Sequence, residues 1–117
     1  MTIKEVSEQF GLTPDTLRYY ERVGMIPPVT RTKSGVRDYG ESDLRWVSLA
    51  KCMRAAGVPV EGIIEYVRLY AQGKETAPAR LALLQRQREA LLAQRQQIDE
   101  TLQRLESKIA YYERENA

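Results

Sequence analysis

Glycine and proline are confined to one part of this chain. All seven glycines and all five prolines lie at or before Pro78, and the last 39 of the 117 residues contain neither. These two residues interrupt helices more strongly than any others. Their absence leaves the C-terminal third free to form one long helix, while the N-terminal part must turn repeatedly. The tail also carries a heptad. Leu81, Arg88, Arg95, Leu102 and Ile109 recur at one seam position, and Leu84, Leu91, Ile98, Leu105 and Tyr112 at the other. Eight of these ten positions are apolar, which predicts a coiled coil rather than an ordinary surface helix. Thirty-odd residues at about 1.5 Å each give a helix roughly 50 Å long. Its apolar stripe calls for a partner, and a second copy of the chain is the expected one. Folding back on its own head is the alternative. Arg88 and Arg95 depart from the pattern, since an unpaired charge buried in a seam is costly. They either reach out to water or pair with acids such as Glu89, Asp99 or Glu106 of the other chain. The period leaves open whether the two strands run parallel or antiparallel.

The N-terminal part reads as a series of short helices. Thr2 with Glu5 three residues on is a capping box, and Ile3, Val6 and Phe10 follow at helical spacing. Gly11 makes the turn. Thr13 then caps a second helix with Pro14 at its first position and Leu17 and Tyr20 inward, ending near Gly24. Two short helices across a glycine turn predict a helix-turn-helix. Pro27-Pro28 forces extended backbone, and Ser34-Gly35 is a turn between Val29–Lys33 and Val36–Tyr39, predicting a small β-hairpin wing. A third helix carries Leu44, Val47, Leu49, Ala50 and Met53 up to Gly57. A fourth opens at Pro59, carries Ile63, Ile64, Val67 and Tyr70, and stops at Gly73. Thr76 and Pro78 start the long helix.

The counts of one cysteine and no histidine exclude several chemistries. A zinc or iron–sulfur site needs three or four convergent ligands, and nucleophilic triads need a histidine base. No intramolecular disulfide can form. No motif joins a nucleophile, base and cofactor, so neither an enzyme nor a cofactor or metal site is expected. The absence of a signal-like or membrane-length apolar run makes a soluble cytoplasmic protein, without membrane attachment, the expectation.

Net charge is only +2, but its placement is informative. Arg18, Arg22, Arg31, Lys33 and Arg37 stand against the single acid Glu21 between positions 18 and 37, whereas cations and acids balance from Val58 onward. Arg18, Tyr19 and Arg22, with Tyr20 adjoining and Thr16 a turn earlier, compose a recognition helix. Guanidinium forks suit phosphates or guanine edges, and phenols suit phosphate oxygens or thymine methyls. The competing reading is a solvated face whose charges pair along the helix, such as Arg18 with Glu21. Arg31, Lys33 and Arg37 around the Ser-Gly turn suit flanking phosphates. Tyr39 either joins that face or plugs the wing into the core.

The run T-P-D-T-L-R-Y-Y-E-R-V-G-M-I-P-P, followed by R-T-K-S-G-V-R-D-Y and then D-L, resembles the DNA-binding signature of the MerR family of bacterial transcription regulators. The resemblance covers residues 1 to about 71, and the long helix agrees with that family's antiparallel dimer coil. Within the family, K-C-M-R-A-A-G-V-P-V-E-G-I-I-E-Y is similar to the small electrophile-sensing, AdhR/NmlR-like branch. The resemblance implies a mainly α fold: a winged helix-turn-helix head at 1–71, a linker at 72–78 and a coiled-coil dimerisation helix at 79–117. It implies a homodimer on a near-palindromic operator in double-stranded promoter DNA. That dimer would activate transcription by bending and untwisting the promoter for RNA polymerase. Arg18, Tyr19 and Tyr20 then fall in the recognition helix, and Arg31, Lys33 and Arg37 in the wing. Metal-sensing relatives carry cysteines near both ends of the dimer helix, where this chain has none. Drug-sensing relatives append a ligand domain.

Cys52 remains. As an isolated residue it reads either as a small buried hydrophobe or as a thiol whose neighbours Lys51, Arg54 and Arg45 enrich its thiolate. The resemblance favours the second, with reactive aldehydes or related electrophiles adding covalently at Cys52. Tyr66 and Tyr70, one turn apart, either line a pocket beside it or pack. Two further readings stay open: the same regulator with a structural Cys52 and another effector, and a coiled-coil scaffold whose basic head binds something other than DNA.

Overall fold

The computed structural model describes residues 1–116. Five helices follow in order: α1 (Ile3–Phe10), α2 (Pro14–Val23), α3 (Glu41–Ala55), α4 (Val60–Ala71) and α5 (Ala77–Glu115), with one 3₁₀ turn at Lys74–Thr76. Local chemistry sets the first boundaries. The Glu5 amide donates to Thr2 Oγ1 at 3.1 Å while the Thr2 amide donates to Glu5 Oε1 at 2.9 Å, a reciprocal capping box. Thr13 Oγ1 accepts the Thr16 amide at 3.1 Å, and Pro14 occupies the first turn of α2. Gly11 and Gly24 close α1 and α2 at φ of 66° and 90°, a left-handed conformation that side chains resist.

The wing departs from the expected hairpin. Its only pairing among the described residues is one antiparallel bridge, Arg31 to Arg37. The Gly35 amide closes the turn onto Thr32 O at 2.9 Å, and the Thr32 and Asp38 amides donate to Val36 O and Thr30 O. Val29 and Tyr39 at the two ends of the segment are buried, but Val36 beside the turn is exposed, so nothing apolar holds the strands together near the tip.

The chain forms two compact units. The first, Met1–Leu83, takes in the opening turns of α5 and therefore extends past the 1–71 head read from sequence. Its core joins Val6 of α1, Leu17 and Tyr20 of α2, Met25, Ile26 and Val29 of the following segment, Tyr39, Val47, Ala50 and Met53 of α3, and Val58 and Ile63. Trp46 packs on the aromatic side of α4, its ring 5.0 Å from that of Tyr70 and 6.0 Å from that of Tyr66. Tyr66 and Tyr70 thus make packing contacts. The shallow hollow of about 300 Å³ beside Tyr70 is lined by Gly73, Lys74 and Arg80, and Cys52 is not part of it.

The α4–α5 junction is tied by polar contacts. Thr76 Oγ1 lies 2.6 Å from Leu69 O, Arg80 Nε donates to Thr76 Oγ1 at 3.1 Å, and the Arg80 guanidinium lies over the Tyr70 ring. The second unit, from Leu84 onward, is the remainder of α5. No helix among the described residues is long and apolar enough to cross a membrane.

Leu17 is fully buried at the centre of the first unit. Leu17→Ala should cost about 2–5 kcal/mol, the range for a leucine deleted from a core that only partly collapses. A urea titration followed by circular dichroism measures it.

Candidate nucleic-acid interface

The basic residues form two groups on adjoining segments. On α2, Tyr19 and Arg22 are exposed and act as a pair, the guanidinium lying 5.4 Å from the ring centroid. Arg18 is also exposed, but its partner is Asp15, at 2.9 Å, and not Glu21 as the charge-pairing reading of the sequence had it. Thr16 is half-buried, and its hydroxyl accepts from Thr13 Oγ1 at 2.9 Å. In the wing, Lys33 is exposed and makes no ion pair among the described residues.

Arg31 and Arg37 are less free than the sequence implied. Arg37 Nε donates to Glu21 Oε1 at 2.6 Å, the Arg31 guanidinium lies 3.6 Å from the same oxygen, and Arg31 also donates to Gly35 O. The second carboxylate oxygen of Glu21 accepts the Val29 amide at 2.8 Å. The Glu21 side chain is only 11% exposed. Burial pushes its pKa up, but the Val29 amide and the two guanidiniums outweigh this and hold it below the usual carboxylate range. A second carboxylate, Asp43 of α3, accepts the Gly40 amide at 2.9 Å and sits 3.4 Å from the Thr30 amide. Consecutive amides at Val29 and Thr30 are therefore held from two different helices. The sequence pointed to Glu21 only as a partner for Arg18, and gave Asp43 no role. The signal for Glu21 was its isolation among five cations, and the signal for Asp43 was its place three residues after the glycine that precedes α3.

Two expected contact residues are corrected. Tyr20 is 6% exposed and Tyr39 1% exposed, so both rings belong to the core and neither presents its face outward. Helical geometry puts Tyr20 on the Leu17 side of α2, three residues on, while Tyr19 falls on the outer side. Tyr39 fills the role of a plug, its amide and carbonyl both bonded to Met1. Its hydroxyl is buried without a hydrogen-bond partner, and burial raises the pKa of this phenol and of Tyr20.

Cys52 is exposed on α3 of the single chain, so it is not part of the head's own core. Of the three cations expected to activate it, two are engaged elsewhere: Lys51 Nζ donates to Phe10 O, and Arg54 donates to Val58 O at 2.8 Å, while Arg45 is exposed. Among the described residues no group of three His, Cys, Asp or Glu is placed to hold a metal ion.

This arrangement of two capped helices, a basic turn and a long tail helix has close counterparts among known proteins. Residues 1–69 match the profile of the MerR HTH family regulatory proteins, and residues 44–108 that of the MerR, DNA binding family. The chain belongs to the MerR family of helix-turn-helix transcriptional regulators. It is 52% identical over 92 residues to the HTH-type transcriptional regulator AdhR of Bacillus subtilis (strain 168), an alignment covering 79% of this chain and 66% of AdhR, just under two thirds of that relative. A crystal structure of a MerR family transcriptional regulator from Listeria monocytogenes superposes with a TM-score of 0.94 at 45% identity, covering 97% of this chain and 86% of the other. HiNmlR, a MerR family regulator lacking the sensor domain and crystallised bound to promoter DNA, superposes with a TM-score of 0.88 at 30% identity, covering 97% and 90%. These relatives are named as regulators, not as enzymes.

Tyr39→Phe tests the burial assignment. Removing an unpartnered buried hydroxyl should leave affinity for DNA unchanged and stability equal or higher by about 1 kcal/mol. The raised phenol pKa contributes stability below its ordinary value of 10.0 that is lost as pH rises through the folded value. The variant should therefore lose less stability than wild type in urea titrations run above that pH.

Proposed function

We propose that the chain is a homodimeric regulator that binds a near-palindromic operator in double-stranded promoter DNA and activates transcription by deforming it. The observation that carries the reading is the exposed basic face of Arg18, Tyr19, Arg22, Arg31 and Lys33, with Arg37 partly buried beside it, on a head of the MerR family. The stacked Tyr19–Arg22 pair suits a phosphate or base edge in the major groove, and the wing cations suit flanking backbone. RNA polymerase is the indirect partner. Holding the promoter bent and untwisted costs a few kcal/mol, offset by the extra contacts that the deformed duplex permits.

Dimerisation through α5 is the second element. Leu81, Leu84, Leu91, Ile98, Leu102, Leu105, Ile109 and Tyr112 are each between 36% and 61% exposed on the single chain. A contiguous apolar stripe of this kind marks an interaction surface. Charge supports the antiparallel arrangement. Arg88 and Arg95 lie at the seam in the first half of the helix, and Asp99, Glu106 and Glu113 share one flanking heptad position in the second half. Antiparallel pairing brings those basic and acidic halves together, whereas parallel pairing stacks each arginine on its own copy.

The effector reading is a covalent one, with a reactive aldehyde or other thiol-reactive electrophile adding to Cys52. Its support is the exposure of the only thiol on a helix of the head. A second reading, the same regulator with Cys52 uninvolved and another effector, is favoured by the engagement of Lys51 and Arg54 with backbone carbonyls.

Three measurements test these proposals. Selection from a randomised duplex library should enrich a near-palindrome, bound with an affinity whose logarithm falls with log salt at about 0.9 per phosphate contacted; no enrichment sinks the DNA-binding reading. Combined Ile98→Asp and Leu105→Asp should give a monomer by sedimentation and weaken binding to the selected duplex at least about tenfold, since avidity is lost. Cys52→Ser should bind that duplex as wild type does yet lose both the mass adduct and the transcriptional response to methylglyoxal, formaldehyde or diamide. A retained response assigns the effector elsewhere.

A further inference from the structure

A wing with one bridge and no ladder relies on side chains for its orientation, and the contacts that tie its two arginines to α2 converge on one of them. Glu21 Oε1 receives Arg37 Nε at 2.6 Å and faces Arg31 at 3.6 Å, while Oε2 receives the Val29 amide at 2.8 Å. Both oxygens are engaged, and little of the side chain reaches solvent. Glu21 lies on α2 between Tyr19 and Arg22, which lean together on the exposed side of the same helix. The carboxylate therefore joins the two halves of the basic surface, within two residues of the Tyr19–Arg22 pair proposed to read the groove.

Resting on the reading that this surface binds DNA, we propose that Glu21 is a positioning residue that sets sequence specificity, holding Arg31 and Arg37 of the wing in fixed register with the recognition helix. Phosphate contact is sequence-independent, and a freely swinging arginine makes it on any duplex. Arginines held to α2 reach phosphates only where the helix is seated in its own site, so their contribution is conditional on correct readout. Glu21 is also the only acid between positions 18 and 37, and its charge offsets attraction to DNA in general. A carboxylate inside a DNA-binding surface opposes raw affinity. Its use here is to exchange indiscriminate affinity for discrimination.

The experiment compares affinity for the duplex selected by the wild-type protein with affinity for a scrambled duplex of the same composition. Both are measured across a salt series, with thermal melts confirming that each variant is folded. Glu21→Gln should bind the scrambled duplex more tightly and with a steeper salt dependence. It should bind the selected duplex more weakly, so that the specificity ratio falls roughly tenfold, the scale of one charge-assisted hydrogen bond. Glu21→Asp keeps the charge but is one methylene too short to span the same donors. Its ratio should fall by a smaller factor, about threefold, and it decides the matter alone if Glu21→Gln does not fold. A merely structural role lowers both affinities together and leaves the ratio unchanged. A ratio equal to or above that of wild type in the folded variants overturns the proposal, while the DNA-binding reading stands. If the wild-type protein itself prefers no duplex, that reading falls, and this one with it.

Discussion

The Glu21 carboxylate receives the Val29 amide and two guanidinium groups from a segment that lies 8 to 16 residues away in sequence. The head depends on this because of its size. About 80 residues form four helices and one bridge, and no sheet is present to carry the basic turn. Side chains hold the turn instead. Glu21 grips it from α2, Asp43 grips it from α3, and Tyr39 anchors its far end in the core. Each of these three groups is partly or wholly buried, where charged hydrogen bonds are strong and orientation is well defined.

The long helix poses the complementary problem. In the head, apolar side chains find partners within the chain, and Val6, Leu17, Val47 and Ile63 are all but inaccessible. Beyond Leu83, α5 has leucines and isoleucines at seam spacing that are exposed on the single chain. One half of the protein is thus satisfied internally, whereas the seam of the other is exposed on the single chain. The proposed pairing of two chains fits this division, since two-fold symmetry in DNA is matched by two heads on a shared axis.

Much of the secondary structure was legible because its causes are local. Thr2 with Glu5, and Thr13 followed by Pro14, act within three or four residues, and both helices begin where those signals put them. The wing is shorter than its turn signal implies. Ser34-Gly35 correctly marked a turn, but a turn signal carries no information on whether the flanking residues have a surface to cover. Val36 does not, and the strands shrink to one bridge. The candidate interface was legible in composition but not in membership. Adjacent tyrosines at 19 and 20 look alike in a sequence, and only the direction of the core separates the exposed ring from the buried one. Lys51 and Arg54 flank Cys52 in the chain, yet their side chains reach carbonyls of Phe10 and Val58.

The segregation of glycine and proline determined by itself that this chain would be a turn-rich head followed by one uninterrupted helix. Capping and heptad spacing determined where most of the elements begin and which edge of the long helix is apolar. These are short-range facts, governed by interactions between residues three to seven apart. The tertiary structure alone decided which basic residues are free and which are bound, because Glu21 and Arg37 are 16 residues apart and meet only through the fold. It also decided that Tyr39 is a plug and that Cys52 is exposed, since burial belongs to the assembled core and to no stretch of sequence.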